Sequence, residues 1–223
     1  MRKAPLCYRL GIYDSSKTFS FEHSFFITPT DLDHNGLKNI FVTNSIVSNS
    51  LDCYAVQKIL PKLFKCDAKV IKIDNQILSF DQFCFLVGEG SVEKISFRNV
   101  SVQWKSGEKV AVEFLIERLP NAKCLEFLNA EFNSETSQQL GKIQLLNKIE
   151  HFSLGDIDET FEIFGFSKFI QNNGNADSHY TLHFKRIVAT AFKFEFEKNL
   201  DMAVNPYRHR HASSVRKPEI NIY

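Results

Sequence analysis

The chain has 223 residues, of which 43% are hydrophobic and 24% are charged, a composition typical of folded globular proteins and not of disordered ones. Its formal net charge of +1 gives no overall attraction to nucleic acid, to an anionic membrane or to acidic substrates. Binding of that kind would require a local charged patch.

The first 34 residues predict two strands. Residues 8–13 and 19–26 alternate between apolar and polar side chains, and the polar residues 14–17 between them are typical of a turn. We expect residues 1–34 to form an N-terminal cap on the rest of the chain.

Residues 35–187 contain an irregular repeat. One pattern recurs six times: an apolar residue, two variable positions, a second apolar residue, one variable position and a third apolar residue. The central apolar residues are 31, 24, 30, 27 and 30 residues apart, close to the upper end of leucine-rich repeat lengths. They are Ile40, Ile71, Ile95, Leu125, Phe152 and Leu182. The alternation around each one predicts a strand with one buried face and one solvent face.

Apolar residues at helical spacing predict helices between these strands. The first stripe consists of Val56, Ile59, Leu60, Leu63 and Phe64. Pro61 is expected to break this helix or to turn its second half. Ser79 and Gln82 have the spacing of a capping box that opens the next helix. Later helices are expected to follow Thr136 and to end at Asn173.

Regular alternation of strands and helices predicts an α/β fold with right-handed crossovers and a largely parallel sheet. Units of this length, each burying its apolar face against its neighbours, predict a leucine-rich-repeat-like solenoid with the helices on the other side of the sheet. We expect a single domain, 1–223. Residues 188–223 would add a C-terminal helix, a basic loop and a closing strand with Ile220 and Ile222.

Residues 31–36 are the best local match to a metal site. Asp31, Asp33 and Asn35 place oxygen atoms at alternate positions before Gly36, as in the first half of a calcium loop. The twelfth position, where a glutamate should bind the ion, is Val42. We therefore interpret this segment as a turn that leads into a strand.

One local cluster of basic residues lies near the C-terminus. It consists of Arg208, His209, Arg210, His211, Arg216 and Lys217. It could bind phosphate or nucleic acid, or a metal through its two histidines, but no third ligand lies nearby. The preferred interpretation is a solvated loop, and nucleic acid is not expected as the main partner.

No motif predicts catalysis, a cofactor or a resident metal. His179 and His183 share one side of a predicted strand and could act as a pair, although exposed strand residues are the simpler interpretation. The five cysteines, Cys7, Cys53, Cys66, Cys84 and Cys124, form no C-x-x-C pair and predict reduced thiols. With no signal peptide and no run of about 20 apolar residues, we expect an intracellular protein, cytoplasmic or nuclear, that does not contact membranes.

The segment 57–69, which reads Gln-Lys-Ile-Leu-Pro-Lys-Leu-Phe-Lys-Cys-Asp-Ala-Lys, resembles the nematode-expanded family of F-box and F-box-associated proteins. Residues 71–73, 77–83, 92–97, 114–120 and 148–154 are similar to the same family, and the resemblance covers residues 35–223. In that family an N-terminal F-box docks on the Skp adaptor of a cullin ubiquitin ligase, and the repeat-like region recruits the target. No F-box is visible before the first repeat of this chain, so adaptor and cullin are not expected to bind it directly.

These observations together predict a non-enzymatic domain that binds another protein. The resemblance implies the substrate-recognition part of an F-box-type ubiquitin ligase receptor, or a paralogue that has lost its F-box. Binding of nucleic acid or phosphate through the C-terminal basic loop is the alternative. The sequence identifies neither the protein partner nor the binding face.

Overall fold

The computed structural model describes residues 5–14, 24–28, 38–204 and 218–223. These residues form twelve strands and six α-helices, and the chain divides into two compact units, Met1–Val110 and Ala111–Tyr223. The organisation as one repeat-like domain stays a prediction.

The first unit contains eight strands and two α-helices among its described residues. In chain order these are β1 Leu6–Tyr13, β2 Ser24–Ile27, β3 Ile40–Asn49, α1 Ala55–Ile59, β4 Leu63–Cys66, β5 Val70–Asp74, β6 Ile77–Ser79, α2 Phe80–Val87, β7 Lys94–Arg98 and β8 Ser101–Gln103. Its main sheet has the order β2-β1-β3-β5-β7, with β4 also paired to β3, and every pair is parallel. Strands β6 and β8 form a separate parallel pair.

The second unit alternates helix and strand. Its elements are α3 Val112–Glu117, β9 Cys124–Leu128, α4 Thr136–Leu140, β10 His151–Ile157, α5 Ile163–Asn173, β11 His179–Phe184, α6 Thr190–Val204 and β12 Glu219–Ile222. The strands pair in the order β9-β10-β11-β12, again all parallel. The predicted α/β class with a largely parallel sheet is confirmed.

Each sheet buries one face under helices. In the first unit Ile46, Ile71 and Ile95 are aligned across β3, β5 and β7, and all three are buried. On the same face, the ring of Phe83 from α2 meets that of Phe97 from β7 edge-on, with centroids 6.0 Å apart. Burial of alternate strand residues explains why the strands have a period of two in the sequence.

Aromatic rings fill the corresponding space in the second unit. Phe152 of β10 lies 5.0 Å from Phe169 of α5 and 5.7 Å from Tyr180 of β11, measured between ring centroids. Phe196 of α6 packs against Phe184 of β11 at 5.2 Å. The high phenylalanine content therefore serves core packing here, because aromatic pairs at these distances stabilise a core beyond their buried area.

The local helix predictions are partly confirmed. Ser79 accepts a hydrogen bond from the backbone of Gln82, and the Gln82 side chain accepts one from the backbone of Ser79, so the capping box is present. The expected break at Pro61 is confirmed, because α1 ends at Ile59, but the assignment of Leu63 and Phe64 to the helical stripe is wrong. A 3₁₀ turn over Leu60–Lys62 follows α1, and both residues lie in β4.

The repeat register needs two corrections. Ile46, and not Ile40, is the β3 residue aligned with Ile71, because β3 begins well before the segment that pairs with β5. Tyr180, and not Leu182, is aligned with Phe152. A shift by an even number of residues, six in β3 and two in β11, keeps the same side chains on the buried face, so alternation alone does not reveal it.

The two N-terminal strands are present but do not form a hairpin. Strands β1 and β2 pair in parallel, and β1 lies between β2 and β3. Residues 31–36, the calcium-loop-like segment, lie outside the described residues. Val42 is buried in β3, as the repeat pattern predicts. The predicted closing strand is confirmed as β12, which pairs with β11.

Candidate functional site

The solvent face of the first sheet carries a group of basic side chains. Parallel pairing places Arg9, Ser45, Val70 and Lys94 in one row, Val47, Lys72 and Ser96 in the next, and Asn49, Asp74 and Arg98 in a third. We call the four exposed cations Arg9, Lys72, Lys94 and Arg98 the basic face. Asp74 is the carboxylate that these rows contain.

Lysines at the edge of the basic face are neutralised locally. Lys65 lies 2.6 Å from Asp67, and Lys69 lies 3.5 Å from Glu93. The hydrogen bond to Asp67 raises the pKa of Lys65. Lys72 and Lys94 form no ion pair within the described part of the chain. These two ammonium groups can therefore interact with an external anion.

In each unit, asparagine or aspartate residues lie at or near the carboxyl ends of strands. Asn75, Asn99, Asn129 and Asp156 all have positive φ angles, between 54° and 64°. The Nδ2 atom of Asn99 donates to Oδ1 of Asn75 at 2.8 Å. Each residue follows the central apolar residue of its strand by four positions, a sequence signal that the repeat analysis overlooked. Asparagine and aspartate tolerate this left-handed backbone better than most residues.

Gln76 fixes the turn that follows β5. Its side chain is buried, its Oε1 accepts from the backbone of Val56 at 2.9 Å, and its Nε2 donates to the carbonyl of Asp52 at 2.8 Å. These bonds satisfy one of the backbone groups at the start of α1. The end of β5 is thereby linked to the start of α1.

The solvent face of the second sheet has a different chemistry. Pairing aligns Cys124, His151, His179 and Glu219 on four adjacent strands, and we call this set the histidine row. The rings of His151 and His179 stack at 5.2 Å with an interplanar angle of 16°. Nδ1 of His179 lies 2.8 Å from a carboxylate oxygen of Glu219.

Two hydrogen bonds, from Asn221 and then from His179, lower the pKa of Glu219. The Sγ atom of Cys124 lies 3.8 Å from a carboxylate oxygen of Glu150. Glu126, on the same strand as Cys124, adds a second carboxylate to the face. Strands β9 to β12 carry Glu126 and Glu219 but no lysine or arginine, in contrast to the strands of the first unit.

The two histidines singled out from sequence do not act on each other. His179 and His183 lie on the same side of β11, as predicted, but His179 stacks on His151. His183 stacks on Tyr223 instead, with ring centroids 5.2 Å apart. The sequence analysis missed His151, because its partner lies on a neighbouring strand 28 positions away.

The described residues contain no group of three or more His, Cys, Asp or Glu side chains placed to hold a metal ion. None of the five cysteines forms a disulfide. Burial raises the pKa of both the Cys7 and Cys66 thiols to about 11, so at neutral pH they are protonated and weak nucleophiles. The basic cluster from Arg208 to Lys217 lies outside the described residues.

Comparison with protein-family models, with curated proteins and with solved structures finds no match to this chain. Among the described helices, none combines the length and the apolar character that crossing a bilayer requires.

Proposed function

We propose that this protein is a non-enzymatic interaction module that recognises a protein partner with the solvent face of its parallel sheet. The observation that carries the proposal is the arrangement of the face. Each strand turns alternate side chains away from the core, and pairing assembles them into rows that contain charged and polar groups. Such rows form an extended surface, which suits a macromolecular partner better than a small molecule.

The proposal includes an irregular leucine-rich-repeat-like solenoid. Within each unit the aligned strands recur at similar intervals, and the Asn and Asp residues recur with them. Repeat arrays commonly bind their partners on extended surfaces of this kind.

The proposed biological role is target recognition, following the resemblance to F-box and F-box-associated proteins. In this role the chain would be the recognition part of a ubiquitin ligase receptor, or a paralogue without the F-box. The proposed location is intracellular, consistent with five cysteines that form no disulfide.

Site-specific photo-crosslinking tests the binding face. A photoreactive amino acid would replace Ser96 or Thr181, on the two sheet faces, and in control proteins it would replace Lys105 or Phe194, which are exposed elsewhere. We expect a discrete protein adduct, identified by mass spectrometry, only from the sheet positions. Equal adducts from all four positions, or none from Ser96 and Thr181, would contradict the proposal.

Affinity capture of the tagged full-length chain tests the link to ubiquitin ligases. Recovery of the Skp adaptor and cullin in stoichiometric amounts would identify a ligase receptor. Recovery of the crosslinked partner without them would identify a recognition domain that works without the ligase. Recovery of nucleic acid in place of protein would favour the alternative function.

A further inference from the structure

We propose that the basic face of the first unit binds an acidic segment, rich in aspartate and glutamate, of the partner protein. This inference rests on the proposed function and adds the chemical character of the partner. It follows from the spacing of the cations, from the absence of an ion pair at Lys72 and Lys94 in the described part of the chain, and from the different charges that the two units carry on their sheet faces.

The cations surround one hydroxyl group. Ser96 on β7 is aligned with Lys72 on β5, and adjacent strands are about 4.8 Å apart. Lys94 and Arg98 each lie two residues from Ser96 along β7, about 6.7 Å away, with their side chains on the same face. Three cationic side chains can therefore reach anions bound above Ser96.

An extended acidic peptide matches this spacing. In an extended chain, alternate side chains point to the same side and are also about 6.7 Å apart. Carboxylates at alternate positions could therefore contact Lys94, Lys72 and Arg98 in succession. The pairing of opposite charges would provide the selectivity.

The local charge balance favours an external anion. Lys72 and Lys94 form no ion pair in the described part of the chain. The face of the second unit carries Glu126 and Glu219 beside histidines. The acidic ligand should therefore bind the first unit and not the second.

The test measures binding of a fluorescein-labelled decapeptide of alternating glutamate and serine to the full-length chain by fluorescence anisotropy. We expect the double variant Lys72→Glu and Lys94→Glu to raise the Kd at least tenfold. The control variant Lys105→Glu and Lys142→Glu has the same net charge but changes exposed lysines outside the basic face, and it should alter the Kd less than twofold. Circular dichroism melts would verify that both variants fold.

Ionic strength provides a second readout. The Kd of the wild type should rise steeply between 50 mM and 500 mM salt, because screening weakens attraction between exposed charges. The double variant on the basic face should have little salt dependence left.

Three results would overturn the inference. Equal losses in both variants would mean that only the net charge matters. A single-stranded oligonucleotide of equal charge that binds more tightly through the same lysines would identify a nucleic-acid surface. Absence of peptide binding, combined with a crosslinked protein partner at Ser96, would refute the acidic ligand and leave the proposed function intact; absence of both would refute both.

Discussion

Replacing Gly165 by alanine should destabilise the second unit, because α4 and α5 touch at this glycine. A Cβ atom built on Gly165 would lie 2.1 Å from the carbonyl oxygen of Ser137 and 2.4 Å from its carbonyl carbon. Normal contact requires more than 3 Å, so the two helices would have to move apart by about 1 Å. The obstacle is backbone, which cannot rotate away as a side chain could.

Overpacking of this kind costs about 1–3 kcal/mol. The Ser137 hydroxyl also accepts a hydrogen bond from the backbone of Glu162 at 3.2 Å, and its loss would cost about 1 kcal/mol more. Because alanine has a higher helix propensity than glycine, the substitution also stabilises the helix by about 1 kcal/mol. We expect a net loss of about 2 kcal/mol, or a fall in Tm of about 4–8 °C for a chain of this length.

Urea denaturation followed by circular dichroism measures the free energy of unfolding of wild type and variant. Lys168→Ala, on the exposed side of the same helix, is the control and should change it by less than about 0.5 kcal/mol. A Gly165→Ala protein as stable as the wild type would refute the close contact between α4 and α5.

Three further predictions concern other sites. Ile95→Asp should unfold the first unit, because a buried unpaired charge costs several kcal/mol. Ser96→Asp, on the solvent face, should leave the circular dichroism spectrum unchanged. Equal tolerance of the two substitutions would refute the strand register. Burial raises the pKa of Glu113, so ionisation of this carboxyl group lowers the stability of the fold as pH rises above about 4.5. In urea denaturation, Glu113→Gln should therefore be more stable than the wild type at pH 7 but not at pH 4. An equal difference in unfolding free energy at the two pH values would contradict this. Thermal melts should show a stability loss of about 2 kcal/mol for Asn99→Ala and about 1 kcal/mol for Asn99→Gly. Both variants lose the hydrogen bond to Asn75, but glycine adopts the positive φ angle without strain. Equal losses would argue against backbone strain.

The sequence predicts the strands well because their signal is local. The sequence predicts Ile71, Ile95 and Leu125 on the buried face of strands, because burial of one face imposes a period of two that five residues suffice to reveal. The capping box of Ser79 is equally local, since it involves residues three positions apart. Leu63 fits both the helical and the strand period, and only its pairing with Ile40 decides between them.

The basic face could not be predicted from sequence. Arg9, Lys72 and Lys94 come from three different strands, and their neighbourhood depends on which residues pair across the sheet. A shift of two residues, as between Tyr180 and Leu182, leaves the core intact but moves every exposed side chain to a different row. Exposed charges carry no periodic signal that would fix this register.

The order of the strands has a consequence for synthesis on the ribosome. Within the first unit, β3, β5 and β7 each pair with a strand made before them, and so do β10, β11 and β12 in the second unit. An emerging strand therefore finds its template already complete and does not wait for a later segment. The nascent chain can extend each sheet one strand at a time, which shortens the period during which unpaired edges are open to aggregation.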